Sequence, residues 1–461
     1  MNDYLLYAKI LKEIKEKRGN FKSIIFNKCQ KNNVPSKKIP SIFAIIIKIY
    51  KNFHEISELL LSYSKKSKSK IYNPYLFMVL LSEFYIAKLS DKKTRILKMG
   101  GKLLREIKDN ETFFMKELSN IFGSIKAEKK FIRSKIFIRA IEPRTTIENL
   151  QKEIFDYHKE KNENNLNLLK STENNKTKTS NELIVKDKNI PNAIWVEYNL
   201  YSKCFDLLNN RIDILLQGKS SCFPPYVLLR GIMLKAQSDP KLYQQKFKII
   251  DTCAAPGNKT LQLAEYMTKF VNCKILAFEK DQKRFNFLSQ RVKKYGFDKK
   301  IECIKQDFLT IDTNNKKFKD IHFALIDPSC SGSGMRNQLY FEEKNDFASN
   351  SNFEQFCEEE QKKNISRAEN LSNFQKDIIN KCMNFPKIKR ISYSTCSLFR
   401  KENEDVVENI LRNNNNFELI DLKGKNSLGE GFGDVGKNCL RANPFKDEID
   451  GFFVALFKRK N

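Results

Sequence analysis

Apolar residues recur at helical spacing through the first 130 positions, then give way to alternating and continuous apolar runs beyond Ser134. Leu5, Leu6, Ala8, Ile10, Leu11 and Ile14 share one stripe of a 3.6-residue period, with Lys and Glu opposite, which predicts an amphipathic helix. The same spacing predicts helices over His54–Tyr63, Tyr75–Leu89, Arg95–Leu104 and Glu111–Phe122. Between them the Lys65–Lys70 run reads as a solvated basic loop, which either keeps the surface wet or grips phosphates. Residues 1–130 are thus expected to form a basic helical domain.

Lys135–Ile141 alternates like a strand, and Thr145 is placed as the cap of a helix over Thr146–Phe155. Ala193–Tyr198 and Arg211–Gln217 add strand patterns. The polar stretch Lys159–Asn189 has few large apolar residues and is read as a disordered insertion within one small α/β unit spanning 131–217. Beyond it, apolar strands are predicted at Phe247–Asp251, Ile275–Glu279, Ile301–Ile304, Ile321–Asp327 and Ile388–Ser394, with helical periods between most of them. That alternation predicts a parallel sheet covered on both faces, in a domain spanning 218–461. Two late strands, Phe417–Ile420 and Phe452–Phe457, are expected to pair antiparallel.

Charge adds a partner class. The 84 Lys+Arg exceed the 55 Asp+Glu by 29 in a chain of 461 residues, so a polyanion such as nucleic acid is the first partner to consider. The longest apolar stretch, Ile39–Ile47, is interrupted by Pro40 and is too short for a bilayer span of ~20 residues. The 11 cysteines include no CxxC pair, and His54, His158 and His322 are the whole histidine complement, so neither a disulfide framework nor a zinc site is expected. We expect a soluble intracellular protein with reduced thiols, no membrane partner, and a monomer.

The chemistry gathers at predicted strand ends. Asp251-Thr-Cys-Ala-Ala-Pro-Gly-Asn-Lys-Thr260 joins the first strand to a helix over Leu261–Lys269, a small-residue turn through which backbone N–H groups can approach a nucleotide or a carboxylate. It is neither GxGxxG nor a P-loop. Glu279 ends the second strand, where a carboxylate can take two ribose hydroxyls, and Asp307 follows the third, placed to bind an adenine amino group with Phe308 nearby. Together these residues outline an adenosyl-cofactor site. The fourth strand leads into Asp327-Pro-Ser-Cys-Ser-Gly-Ser-Gly334 and the fifth into Ser392-Tyr-Ser-Thr-Cys-Ser397, so Cys330 and Cys396 leave neighbouring strands at one edge beside Asp327. Two thiols and an acid suit pyrimidine chemistry. Carbon 5 of cytosine becomes nucleophilic once a thiolate adds to carbon 6, which needs a proton donor at nitrogen 3 and later a base for the carbon 5 proton.

These three segments resemble the motifs of the Sun/Fmu-type RNA cytosine-5 methyltransferases. Gln217-Gly-Lys-Ser-Ser-Cys-Phe-Pro-Pro225 and Glu402-Asn-Glu-Asp-Val-Val407 resemble the family's flanking segments. The Pro-Ser-Cys spelling, Gly257-Asn258 and the N-terminal helices resemble the branch that methylates large-subunit ribosomal RNA. The resemblance implies a Rossmann-like α/β methyltransferase domain on a mostly parallel seven-stranded sheet, preceded by a small RRM-like α/β unit and the helical domain. It implies S-adenosyl-L-methionine as cofactor, RNA (large-subunit rRNA or a pre-ribosome) as partner, and action in the nucleus and nucleolus. Carried over by position, Cys396 is the nucleophile, Asp327 holds the base at nitrogen 3, and Cys330 assists proton removal and product release. Cys253, Ala254, Ala255, Pro256, Gly257, Asn258 and Lys259 wrap the methionine part of the cofactor, with Glu279 on ribose, Asp307 at adenine and Asp327 at the same crevice. Arg284 reads equally as a cofactor or phosphate contact and as a surface charge. The sequence departs from the family in four places: Glu279 where Asp is commoner, Pro-Ser-Cys where most relatives have Pro-Cys, Arg139-Ala-Ile-Glu-Pro-Arg-Thr145 in place of Arg-Val-Asn-Thr, and an acidic insertion at about 341–370 whose acidic run is Phe341–Glu360. Rival readings are methylation of tRNA or DNA, amino-group methylation, and a ribosome-assembly factor with little catalysis.

Overall fold

In a computed structural model, the chain is described over residues 2–16, 21–35, 38–67, 71–89, 96, 101–123, 135–166, 183–209, 211–335, 350–362, 365–423 and 428–460. It divides into two compact units, Met1–Ile132 and Arg133–Asn461.

The first unit is helical. Among its described residues the helices are Asn2–Glu16, Phe21–Lys31, Ile39–Lys51, Phe53–Ser67, Pro74–Leu89, Lys102–Asp109 and Glu111–Gly123. The two over Phe21–Lys31 and Ile39–Lys51 were not among the helices predicted from the pattern. Pro74–Leu89 differs from the expected amphipathic stripe. Phe77, Val79, Leu80, Leu81 and Phe84 are all buried, so this helix is apolar around its circumference and sits in the core of the unit, capped by Asn73 accepting from Leu76 N–H at 3.0 Å. Lys65 and Lys66 are not loop residues but the last turn of Phe53–Ser67, where cations complement the helix dipole. The rest of that basic run, 68–70, and most of the helix predicted over Arg95–Leu104 lie outside the described residues. No helix among the described residues is long and apolar enough to cross a membrane.

The second unit contains two sheets. The small one has the order β2-β3-β1-β4, from β1 (Lys135–Ala140), β2 (Ile184–Lys186), β3 (Ala193–Glu197) and β4 (Ile214–Leu216), all paired antiparallel. The helix Ile147–Leu166 packs on it through Leu150 and Ile154. Its cap is Thr146, whose hydroxyl accepts from Asn149 N–H at 3.2 Å, one residue beyond the predicted Thr145. The predicted insertion at 159–189 is shorter than expected, since the helix continues to Leu166 and β2 begins at Ile184; residues 167–182 lie outside the described residues.

The large sheet runs β11-β12-β13-β9-β8-β5-β6-β7, with β10 also on β13. Its strands are β5 (Phe247–Asp251), β6 (Cys273–Glu279), β7 (Ile301–Lys305), β8 (Phe323–Ile326), β9 (Arg390–Thr395), β10 (Phe417–Leu419), β11 (Gly429–Glu430), β12 (Leu440–Ala442) and β13 (Phe452–Arg459). Among the described residues it has nine strands where seven were expected. The added pair, β11 and β12, is two and three residues long and occupies the half of the β13 edge that β10 leaves free. From β7 to β9 the strands are parallel, as predicted, and β13 closes antiparallel on β9. Helices Lys219–Ser238, Asn258–Tyr266 and Gln282–Lys294 contribute Leu228, Leu261 and Leu288 to one core of this unit, and Ile365–Met383 contributes Ile378, Ile379 and Cys382 to a second. The acidic insertion is helical over Asn350–Lys362, packing Phe353 and Cys357 against Leu398 and Phe432; its earlier part, 341–349, lies outside the described residues.

The small sheet is not a separate domain. Arg139, on β1 and fully buried, pairs with Glu265 and donates to Gln217 at 3.3 Å. Arg144 donates to Tyr295 O at 2.5 Å. The segment where relatives read Arg-Val-Asn-Thr therefore ties the small sheet to the helices Asn258–Tyr266 and Gln282–Lys294 beside the large one.

Candidate active site

The parallel order β7-β6-β5-β8-β9 reverses direction between β5 and β8, the switch point at whose strand carboxyl ends such sheets bind ligands. Asp251 and Asp327 flank it. The turn after β5 is held by Gly257 N–H donating to Ala254 O at 2.7 Å and Ala254 N–H donating to Phe278 O at 2.8 Å. Gly257 caps the helix Asn258–Tyr266 at φ +100°, so glycine is required for the backbone, while the space a Cβ would need is bounded by the movable tip of Leu288. Thr260 donates to Asp251 Oδ2 at 2.7 Å. The other Asp251 oxygen, and the side-chain oxygen of Asn258, are buried without a hydrogen-bond partner among the described residues. Two orphaned acceptors on a glycine turn at the sheet switch point fit a ligand that brings its own donors, such as the amine of the methionine part of an adenosyl cofactor.

Glu279 is buried at the end of β6 and accepts from Asp281 N–H at 2.9 Å. Arg284 pairs with it at 3.3 Å and donates to Ala255 O at 2.7 Å, bridging the second strand end to the turn. Its guanidinium thus has a defined place in the site. Asp307 accepts from Leu309 N–H at 3.0 Å and faces Lys280 at 3.3 Å. Burial pushes the Cys253 thiol up to about 12, which keeps it protonated and inert as a nucleophile.

Asp327 leaves β8 with both oxygens engaged, accepting from Lys259 Nζ at 2.6 Å and from Ser394 Oγ at 2.7 Å. Lys259 thus faces Asp327 as well as belonging to the glycine turn, a pairing across 68 positions that spacing could not reveal. Burial disfavours the Lys259 ammonium, but the charge and hydrogen bond of Asp327 outweigh it and hold its pKa above the ordinary value. Beyond these two donors the carboxylate keeps lone pairs for a further one.

The structure brings Cys330 and Cys396 together, Sγ to Sγ at 3.2 Å, beyond a covalent bond and within an S–H···S hydrogen bond. That hydrogen bond first, then burial and the neighbouring Cys396 charge, hold the Cys330 thiol well above its ordinary pKa. Sequence reasoning did not find the polar residues around the thiols: Ser394 on Asp327, and Ser331, Ser397, Gln375 and Glu402 behind the two cysteines. Only the Glu402–Val407 resemblance pointed in their direction.

Residues 240–458 match the family model described as 16S rRNA methyltransferase RsmB/F. The 28S rRNA (cytosine-C(5))-methyltransferase of Mus musculus is 33% identical over 53% of this chain and 47% of its own. The 26S rRNA (cytosine-C(5))-methyltransferase nsun-5 of Caenorhabditis elegans is 32% identical over 61% of this chain and 58% of its own. The chain spans about half the length of the curated relatives it matches. The crystal structure of PH0851 shares the fold at a TM-score of 0.58 and 20% identity, covering 98% of this chain and 97% of that one. The resemblance to the Sun/Fmu-type RNA cytosine-5 methyltransferases, and to their large-subunit branch, is borne out over the strand–helix alternation that holds the site.

Proposed function

We propose that this chain methylates carbon 5 of a cytosine in RNA, most specifically large-subunit rRNA, with S-adenosyl-L-methionine as methyl donor. The observation that carries the reading is the thiol pair, 3.2 Å apart beside a carboxylate held by Lys259 and Ser394. The RsmB/F match and the names of the relatives support the substrate class. The turn Cys253–Lys259 would hold the methionine part of the donor, Glu279 its ribose and Asp307 its adenine. When bound, the donor supplies an electrophilic methyl group.

The chain's own residues do the rest. A target cytosine in an unpaired segment swings into the crevice. Cys396 Sγ would add to carbon 6 as its thiol proton is passed to nitrogen 3, where Asp327 accepts from the new N–H, turning carbon 5 into a nucleophile. After methylation the carbon 5 proton leaves and the Cys396–carbon 6 bond breaks, restoring the aromatic ring. Cys330, hydrogen-bonded to Cys396, would give its thiol proton to the departing Cys396 sulfur and take the carbon 5 proton in its place, while nitrogen 3 releases the proton it gained. The surplus of 29 positive charges supplies phosphate attraction. The relatives' rRNA substrates support action on rRNA or a pre-ribosome in the nucleolus.

The test is adduct trapping. Cys330→Ala incubated with large-subunit rRNA and the methyl donor should accumulate a protein–RNA species that survives denaturing electrophoresis, and Cys396→Ala should not. An adduct from Cys396→Ala alone would exchange the two roles, as in DNA cytosine enzymes. An adduct from neither would remove the covalent route.

A further inference from the structure

We propose that Glu402 is a positioning residue that sets the separation of the Cys330 and Cys396 thiols; the inference rests on the reading above for its catalytic consequence but not for its geometry. Glu402 is fully buried. Its carboxylate accepts from Ser331 N–H at 3.0 Å, Ser397 Oγ at 2.8 Å and Gln375 Nε2 at 2.9 Å. Each of these partners is an uncharged donor. Burying a carboxylate on such terms is costly unless several donors converge on it, and here they come from three elements. Ser331 follows Cys330, Ser397 follows Cys396, and Gln375 lies on the helix Ile365–Met383.

The clamp is local to the thiols. The two serine hydroxyls meet at 2.9 Å across 66 positions of chain, and Ser333 Oγ accepts from Leu398 N–H at 2.9 Å. Gln375 also donates to Ser329 O at 3.2 Å and accepts from the Tyr393 hydroxyl at 3.1 Å, so both cysteine loops and β9 share one network. Asn403 extends it, accepting from Thr395 Oγ1 at 2.5 Å and donating to Ser397 O at 2.9 Å. An apolar residue would fill the volume, but it could not gather the residues next to both thiols onto one group.

Glu402→Gln keeps the size and replaces one acceptor oxygen by an amide that must face a donor. With the full chain, diamide drives the two thiols to a disulfide while its azo group takes up both hydrogens, and the Cys330–Cys396-linked peptide is followed by mass spectrometry. We expect the variant to unfold cooperatively, to form that disulfide at least ~10-fold more slowly, and to lose about 100-fold in kcat on rRNA while KM for RNA and methyl donor stay within about twofold, as a misplacement of about 1 Å would cause. Wild-type cross-linking in Glu402→Gln overturns the proposal, whether or not turnover falls. Should Glu402→Gln not fold, Ser397→Ala, which removes one donor and leaves the carboxylate, decides in its place: slower cross-linking upholds the clamp and an unchanged rate overturns it. If wild type methylates no RNA but the cross-linking rates still separate, the functional reading fails and the clamp stands.

Discussion

Asp251 and Asp327 stand at the ends of the neighbouring strands β5 and β8 in opposite electrostatic settings. Asp327 is paired with Lys259, whereas Asp251 is buried with one oxygen unpartnered among the described residues. Burial above all, opposed by the Thr260 hydrogen bond and reinforced by the Asp327 charge, raises the Asp251 pKa from 3.8 to about 7. Because the folded value exceeds the unfolded one, its contribution to stability is complete below 3.8 and is lost as pH rises to about 7. Thermal unfolding of the protein without methyl donor should therefore show stability falling across that window. Asp251→Asn should remove this part of the fall, about 1.4 kcal/mol for every pH unit the window spans. An identical slope in the variant would mean the carboxyl is ionised in the fold. The acid and the two cysteines were legible because each stands at a predicted strand end. Their supporting partners were not, because Lys259–Asp327 and Ser331–Ser397 join residues 68 and 66 positions apart.

Parallel strands made the large domain readable. β5, β6 and β8 are runs rich in buried apolar residues divided by helical periods, as strands covered on both faces must be. The short strands β11 and β12 carry too few residues for any period to register. The helix Ile39–Lys51 escapes the pattern because Pro40 reads as a breaker, yet Pro is tolerated in a helix's first turn. At the cysteine loops the close approach of elements is itself a constraint. Gly334 N–H donates to Cys396 O at 2.9 Å, Gly451 N–H donates to Gly334 O at 2.7 Å, and a Cβ on Gly334 would lie 2.4 Å from Gly451 O. Gly334→Ala should displace the Cys396 loop, lowering kcat by about 100-fold or more with a stability loss of only about 1–3 kcal/mol. Activity falling merely in step with stability would show that the loop tolerates the shift.

For the molecule as a whole, one buried ion pair and the net charge carry separate tests. Arg139–Glu265 joins the small sheet to the helix Asn258–Tyr266 beside the large sheet. Arg139→Met alone leaves Glu265 buried and unpaired, so denaturant unfolding should show a loss of about 3–5 kcal/mol, most of it recovered in Arg139→Met/Glu265→Leu. Equal losses in both would mean that packing, not charge, fixes the junction. With 29 surplus positive charges, RNA affinity should fall linearly in log–log coordinates with salt, with a slope of about −0.7 per phosphate contacted on single strands, and a flat response would deny the basic surface a role. The central claim is the reaction with Cys396 as nucleophile. Purified protein and Cys396→Ala should be incubated with labelled S-adenosyl-L-methionine and unmodified large-subunit rRNA, and the digested RNA read for labelled 5-methylcytosine. The account predicts product from the wild type and none from the variant; product from both, in equal amount, would contradict it.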